Sequence, residues 1–269
     1  RSHCDWSSDV CSSDLSVRGI SLEDGLTVEK YNSQKKLLDD LDTAFRGYEN
    51  LDEQVRGLDR FGEQAHDIIS SPTTRNAFDL SLEKTSESTR FGRHEFGQSL
   101  LLASRLIEAG VHFVTVRLRP AEFDFDTHLD NFSKLSALLP PFDKGLASLI
   151  DRLKERGLFR STAIMVAGEF GRTPKINGQG GRDHWARAMF ALMAGGDVEG
   201  GQVIGETDDR AGAPVGKGYS PDDLAASFFQ NIGINSKYEF QTNIGRPINL
   251  VREIEERRVG KECRSRWSP

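Results

Sequence analysis

Short apolar runs alternate with helical text through the second half of this chain, and that alternation most narrows the folds open to it. Residues 111–118 (VHFVTVRL) are β-branched and strand-like, 161–167 (STAIMVA) are short and apolar, and 188–194 (AMFALMA) form a third such run. Between the first two lies a helical stretch, 131–156, in which Pro140 and Pro141 mark a kink or a junction between two helices. Strands separated by helices predict an α/β fold with a mainly parallel sheet and helices on both faces. The run 161–167 fits a buried strand of the parallel kind. Residues 202–205 suggest a short edge strand. Ser220 ahead of Pro221, Asp222 and Asp223 opens a further helix that stops at Gly233.

The first half is helical in pattern. Leu37, Leu38, Leu41, Phe45, Tyr48, Leu51, Val55 and Leu58 recur at helical spacing, with a break suggested by Gly47 and Asn50. Pro72 opens a short helix, 85–93 is polar enough to read as a loop, and 98–108 predicts a helix stopped by Ala109 and Gly110. The organisation expected is a helical segment over 27–93 followed by an α/β segment over 94–254, together one domain.

The termini differ in texture from this interior. Residues 1–15 (RSHCDWSSDVCSSDL) and 255–269 (EERRVGKECRSRWSP) hold Cys4, Cys11, Cys263, Trp6 and Trp267. Both strings look like translated sequencing-adapter DNA and are set apart as non-native flanks. The interior 16–254 is then expected to be a fragment of a longer gene, and without cysteine it gives no clue to redox compartment. A net charge of −6 with no basic cluster in the interior argues against nucleic acid as the main partner. No apolar run approaches the roughly 18 residues of a membrane span.

Three polar knots carry the chemistry. Asp124, Asp126, His128 and Asp130 fall at alternate positions, so an extended backbone aims them one way. This is not a calcium loop, because Leu129 and Leu135 stand where glycine and glutamate are required. The run GEFGRTP (168–174) places Glu169 between glycines at the end of an apolar run, where a lone carboxylate calls for a cation. The run GQGGRDHW (178–185) brings Asp183 beside His184, as two ligands or as a ligand and its support. Carboxylate and imidazole are ligands for borderline and hard divalent metals. One composite metal site from Asp126, His128, Glu169, Asp183 and His184 is therefore predicted. The ion expected is zinc, manganese, calcium or magnesium. His66, His94 and His112 lack such neighbours and read as surface or packing residues.

Other motifs fail. Asp183 interrupts a dinucleotide-binding glycine pattern, residues 212–217 are one residue short of a phosphate loop, and no Gly-x-Ser-x-Gly elbow occurs.

At the three knots, and again at GGQVIGETD (200–208), SPDDLAAS (220–227) and Gly245-Arg246-Pro247-Ile248, the sequence resembles the bacterial family called domain of unknown function 1501. The resemblance spans roughly residues 17–251. It implies a three-layer, doubly wound fold grouped with alkaline phosphatases, sulfatases and cofactor-independent phosphoglycerate mutases. That family is abundant in planctomycetes, and many members carry twin-arginine export signals, so a periplasmic or exported location is expected. The superfamily cleaves phosphate or sulfate esters with two divalent metals and a hydroxyl or formylglycine nucleophile. By order, Asp126 and His128 resemble its Asp/His pair, Glu169 stands where an Asp-His step is usual, and His184 resembles its late histidine.

The N-terminal Asp and the nucleophile of that pattern would precede Ser16, so the fragment itself is expected to lack turnover. Arg172 and Arg182 would bind the anionic oxygens of a small-molecule or glycan ester. The alternative is a non-catalytic relative of the same fold that binds metal or a sulfated or phosphorylated glycan.

Overall fold

The computed structural model describes residues 27–45, 71–117, 125–216, 218–242 and 244–251. The sequence readings at Asp124, at His66, across 46–69 and over both terminal stretches lie outside these. The chain divides into two compact units, residues 1–117 and 118–269. The described residues form a mixed α/β protein.

In the first unit α1 spans Val28–Phe45, α2 Pro72–Phe78, α3 Thr85–Phe91 and α4 Glu95–Glu108. Ser71 caps α2 by accepting from Thr74 N at 3.3 Å, and Pro72 occupies the first helical position as expected. The polar stretch expected to be a loop is helical instead. Its one large apolar residue, Phe91, is fully buried, and Glu87 pairs with Arg90 on the same helix, so packing decides where local pattern is silent.

Gln98, buried in α4, donates to Ser88 O and Gly92 O at 3.0 and 2.8 Å and so satisfies carbonyls at the end of α3. The close crossing requires Gly97, where a Cβ would lie 2.2 Å from Phe91 O. Phe96, Leu100, Leu101 and Ala103 complete the core with Ala77. Arg105 ties α4 to α2, donating to Ala77 O at 3.0 Å and to Asn76 O, while pairing with Glu83. Residues 111–117 form no strand, with a bend at His112, and Phe113 is exposed.

In the second unit α5 runs unbroken over Asn131–Glu155, with Pro140 and Pro141 inside it rather than at a junction. Leu138, Gly145, Leu149, Arg152 and Leu153 are buried at spacings of three, four and seven, one face of a helix. Strand β1 (Ile164–Ala167) pairs antiparallel with β4 (Ala191–Ala194), Ile164 facing Ala194 and Ala167 facing Ala191. This corrects the parallel, buried strand expected there. No helix occurs between 167 and 191, and a parallel pair needs a crossover of a dozen or more residues, usually helical.

The connection instead carries a small ladder of its own, β2 (Gly171–Arg172) against β3 (His184–Trp185). Gly171 permits it, since a Cβ there would overlap Ala188 O. Helix α6 (Pro221–Asn231) has the expected start, with a reciprocal capping box between Ser220 and Asp223. Strands β5 (Glu239–Gln241) and β6 (Pro247–Asn249) form a third antiparallel pair. Residues 202–205 are not a strand; nearby, Thr207 bridges Pro214.

Candidate metal centre

The segment 126–131 is laid against 177–182 by main-chain bonds. Asp130 N donates to Gln179 O at 3.2 Å, Asn131 N to Gly180 O at 3.0 Å, and Arg182 N to Thr127 O at 2.9 Å. The contact is close enough that Gly181 has no room for a Cβ, which would fall 1.9 Å from His128 O. Alternation then sorts the side chains. Thr127 is buried and donates to Asn131 Oδ1 at 2.6 Å, whereas Asp126 and His128 turn together to the partly exposed side.

The β2–β3 ladder adds the remaining groups by setting Arg172 opposite His184. His128 Nε2 lies 3.0 Å from Asp126 Oδ1, His184 Nε2 lies 3.1 Å from the same oxygen, and the two Nε2 atoms are 3.2 Å apart. Ligand atoms around a tetrahedral ion with bonds of about 2.0 Å stand about 3.3 Å apart, and around an octahedral ion of similar bond length about 2.9 Å. The triangle formed by Asp126, His128 and His184 falls between those values and matches one face of either polyhedron.

Its hydrogen-bond pattern points the same way. His128 Nδ1 donates to Asp183 Oδ1 at 2.9 Å, so a neutral His128 presents a bare Nε2 lone pair to a carboxylate oxygen and a second imidazole. That face calls for positive charge at its centre, supplied by a metal ion or by a proton on the ring. The carboxylate behind the imidazole is the usual support of a metal-bound histidine. Burial opposes ionisation of Asp126, but hydrogen bonds from Arg172 and His184 outweigh it and hold the carboxyl below its ordinary range. Asp183 is held low as well, first by the hydrogen bond from His128 and then by that from Asn177.

The other predicted residues are placed as follows. Asp183 stands behind His128 rather than at the triangle. Glu169 is exposed, and its carboxylate makes no hydrogen bond or ion pair with the described residues. Arg172 donates to Asp126 Oδ1 and lies over the Phe170 ring at 5.6 Å, while Phe170 packs on His184 with centroids 4.4 Å apart. Arg182 donates to Thr173 O and Pro174 O at 2.6 and 2.8 Å, which braces the loop.

Sequence reasoning passed over Asn177. Its Nδ2 donates to His128 O at 2.9 Å and to Asp183 Oδ1 at 3.1 Å, and its Oδ1 accepts from Gln179 N and Gly181 N, each at 2.9 Å. The Asn177-Gly178 step was the available signal, since asparagine before glycine marks a turn in which the side chain bonds its own backbone.

Fold and site together define a mixed α/β protein with a carboxylate–imidazole cluster of metal-ligand type. The chain belongs to the family described as Protein of unknown function (DUF1501), which matches residues 7–261. No curated protein and no solved structure matches it.

Proposed function

We propose that this chain binds a divalent metal ion through Asp126, His128 and His184 and uses the site to engage a phosphate or sulfate ester, as a hydrolase of the phosphatase and sulfatase type. The observation that supports it is the triangle of ligand atoms 3.0–3.2 Å apart, with Asp183 behind one imidazole. A bound ion at such a site supplies Lewis-acid polarisation of an ester oxygen.

This chain's own residues orient and recognise. Asp183 keeps the His128 ring turned toward the centre. Arg172 stands beside the triangle with five N–H donors, of which its bond to Asp126 uses only part, and a guanidinium fork matches the geometry of phosphate or sulfate oxygens. Phe170 packs on the His184 ring, and the exposed Glu169 precedes it in the chain. Zinc, manganese, calcium and magnesium are all within the donor chemistry, with zinc favoured by two imidazoles. Kinship with alkaline phosphatases and sulfatases, their three-layer fold, and export from the cytoplasm belong to the same proposal.

One observation favours a second reading, a metal-binding relative without turnover. The hydroxyl within the ligand segment, Thr127, is buried and committed to Asn131, so it is not offered as a nucleophile. Metal analysis of the purified full chain, with His184→Ala alongside, tests the proposal. Stoichiometric metal in the parent and its loss in the variant are expected; a folded, metal-free parent unable to take up any of the four ions overturns it. Metal-dependent cleavage of p-nitrophenyl phosphate or sulfate then supports the hydrolase. Anion binding without cleavage supports the second reading.

A further inference from the structure

We infer that Asn177 is the positioning residue of this centre: its amide holds Asp183 against His128 Nδ1 and so fixes the ring in the form that leaves Nε2 bare. The assignment rests on the metal-binding reading, and it concerns an uncharged residue that touches His128 only at its main chain, not at its ligand atom.

The orientation of the Asn177 amide is determined by its surroundings. Two main-chain N–H groups, of Gln179 and Gly181, point at Oδ1, and two acceptors, His128 O and Asp183 Oδ1, face Nδ2. A flipped amide would set N–H against N–H and oxygen against oxygen at four places, so the observed orientation follows from the network. The two Oδ1 bonds are a local turn that any short acceptor side chain would reproduce. The two Nδ2 bonds are different in kind. One reaches back 49 residues to the main chain of a ligand residue, and the other forward to the carboxylate supporting the same ligand. His128 is thus gripped at its carbonyl directly and at its ring through Asp183.

The same Asp183 oxygen receives both Asn177 Nδ2 and His128 Nδ1, at 3.1 and 2.9 Å. Asp183 is itself exposed, with a side-chain accessibility of 52%, so without the amide its carboxylate is free to rotate into water. The imidazole would then lose the acceptor that selects the Nδ1–H tautomer, and its Nε2 would carry the proton in part of the population. A protonated Nε2 does not bind metal.

The test uses the full chain with Asn177→Ala, and Asn177→Ser as the variant that keeps a turn acceptor should alanine fail to fold. Imidazole nitrogen NMR on the metal-free protein reads the His128 tautomer. Zinc titration calorimetry reads affinity in the parent, in each variant, in Asp183→Ala and in the double substitution. In the parent Nδ1 is expected to carry a proton hydrogen-bonded to Asp183, and that signature is lost in the Asn177 variants. Zinc affinity should fall about 10- to 100-fold, the range for outer partners of metal ligands. In the Asp183→Ala background the same substitution should cost markedly less, because only the bond to the His128 carbonyl remains to be lost.

An equal loss in both backgrounds, or an unchanged tautomer, would mean that Asn177 only closes the loop, and the assignment falls. A parent that takes up no zinc would defeat the metal reading instead, and the tautomer measurement would still decide on Asn177.

Discussion

At the scale of single residues the centre depends on one missing carbon and one shared oxygen. Gly181 leaves the space in which the 126–131 segment is docked, and a methyl group there would have to displace the His128 main chain itself. Gly181→Ala should therefore destabilise the second unit by about 1–3 kcal/mol, as overpacking does, and should abolish metal uptake. Denaturant melts and metal analysis check the two effects separately; a variant that melts normally and binds metal would show that the loop yields.

Asp126 supplies the shared oxygen. Its folded-state pKa is below the ordinary 3.8, because the Arg172 and His184 hydrogen bonds overcome the effect of burial. A carboxyl depressed in this way contributes stability that is present above the unfolded value and lost as pH falls through the folded one. Arg172→Gln should raise the Asp126 pKa toward 3.8, so that the carboxyl protonates at a higher pH on acidification. Carboxyl carbon NMR titration measures that shift directly, and an unmoved midpoint would mean the pair is not formed in solution.

Among the elements, a helix with a local cap or a long apolar period was legible, and a short one held by packing was not. Ser220 with Asp223, and Ser71 with Pro72, announce their helices because the side chains that satisfy the first N–H groups are local. Helix α3 has no side-chain cap and one buried apolar residue, so nothing in its own seven residues distinguishes it from a loop. Strand β1 was found but its partner direction was not. Direction depends on the intervening residues 168–190, where the glycine-rich knots replace the helix that a parallel crossover would need.

His94 shows the same limit. As a lone histidine it has no evident task, yet its Nδ1 accepts from Gly97 N at 3.1 Å and caps α4. His94→Ala should cost about 0.5–2 kcal/mol in chemical denaturation, while His94→Asn, which retains a cap acceptor, should cost much less. Equal losses would place the role of His94 in its stacking on Phe96 rather than in the cap.

For the whole molecule, the convergence of distant knots was legible because few residue types bind metals and the chain spaces them at the ends of apolar runs. Asp126, His128 and His184 do meet, across 58 residues of sequence. Glu169 could not be sorted from them by sequence, since exposure is a property of the folded connection. The main-chain bonds that join the two segments give metal binding a local signature. Opening the site requires breaking Asp130 N to Gln179 O, Asn131 N to Gly180 O and Arg182 N to Thr127 O, and each of these must reform before the ligand triangle is restored. An ion that binds the closed form stabilises it by about 2.7 kcal/mol at a hundredfold excess over Kd, which slows exchange through that opening by about 100-fold. Zinc should therefore protect the amides of Asp130, Asn131 and Arg182 in hydrogen exchange. The β5–β6 pair contributes no ligand, and the amides of Thr242 and Gly245, between its two strands, should keep their rates if the site opens on its own. Equal slowing at both places would mean that the second unit opens as one body, and no slowing at Arg182 would remove the metal from between these two segments.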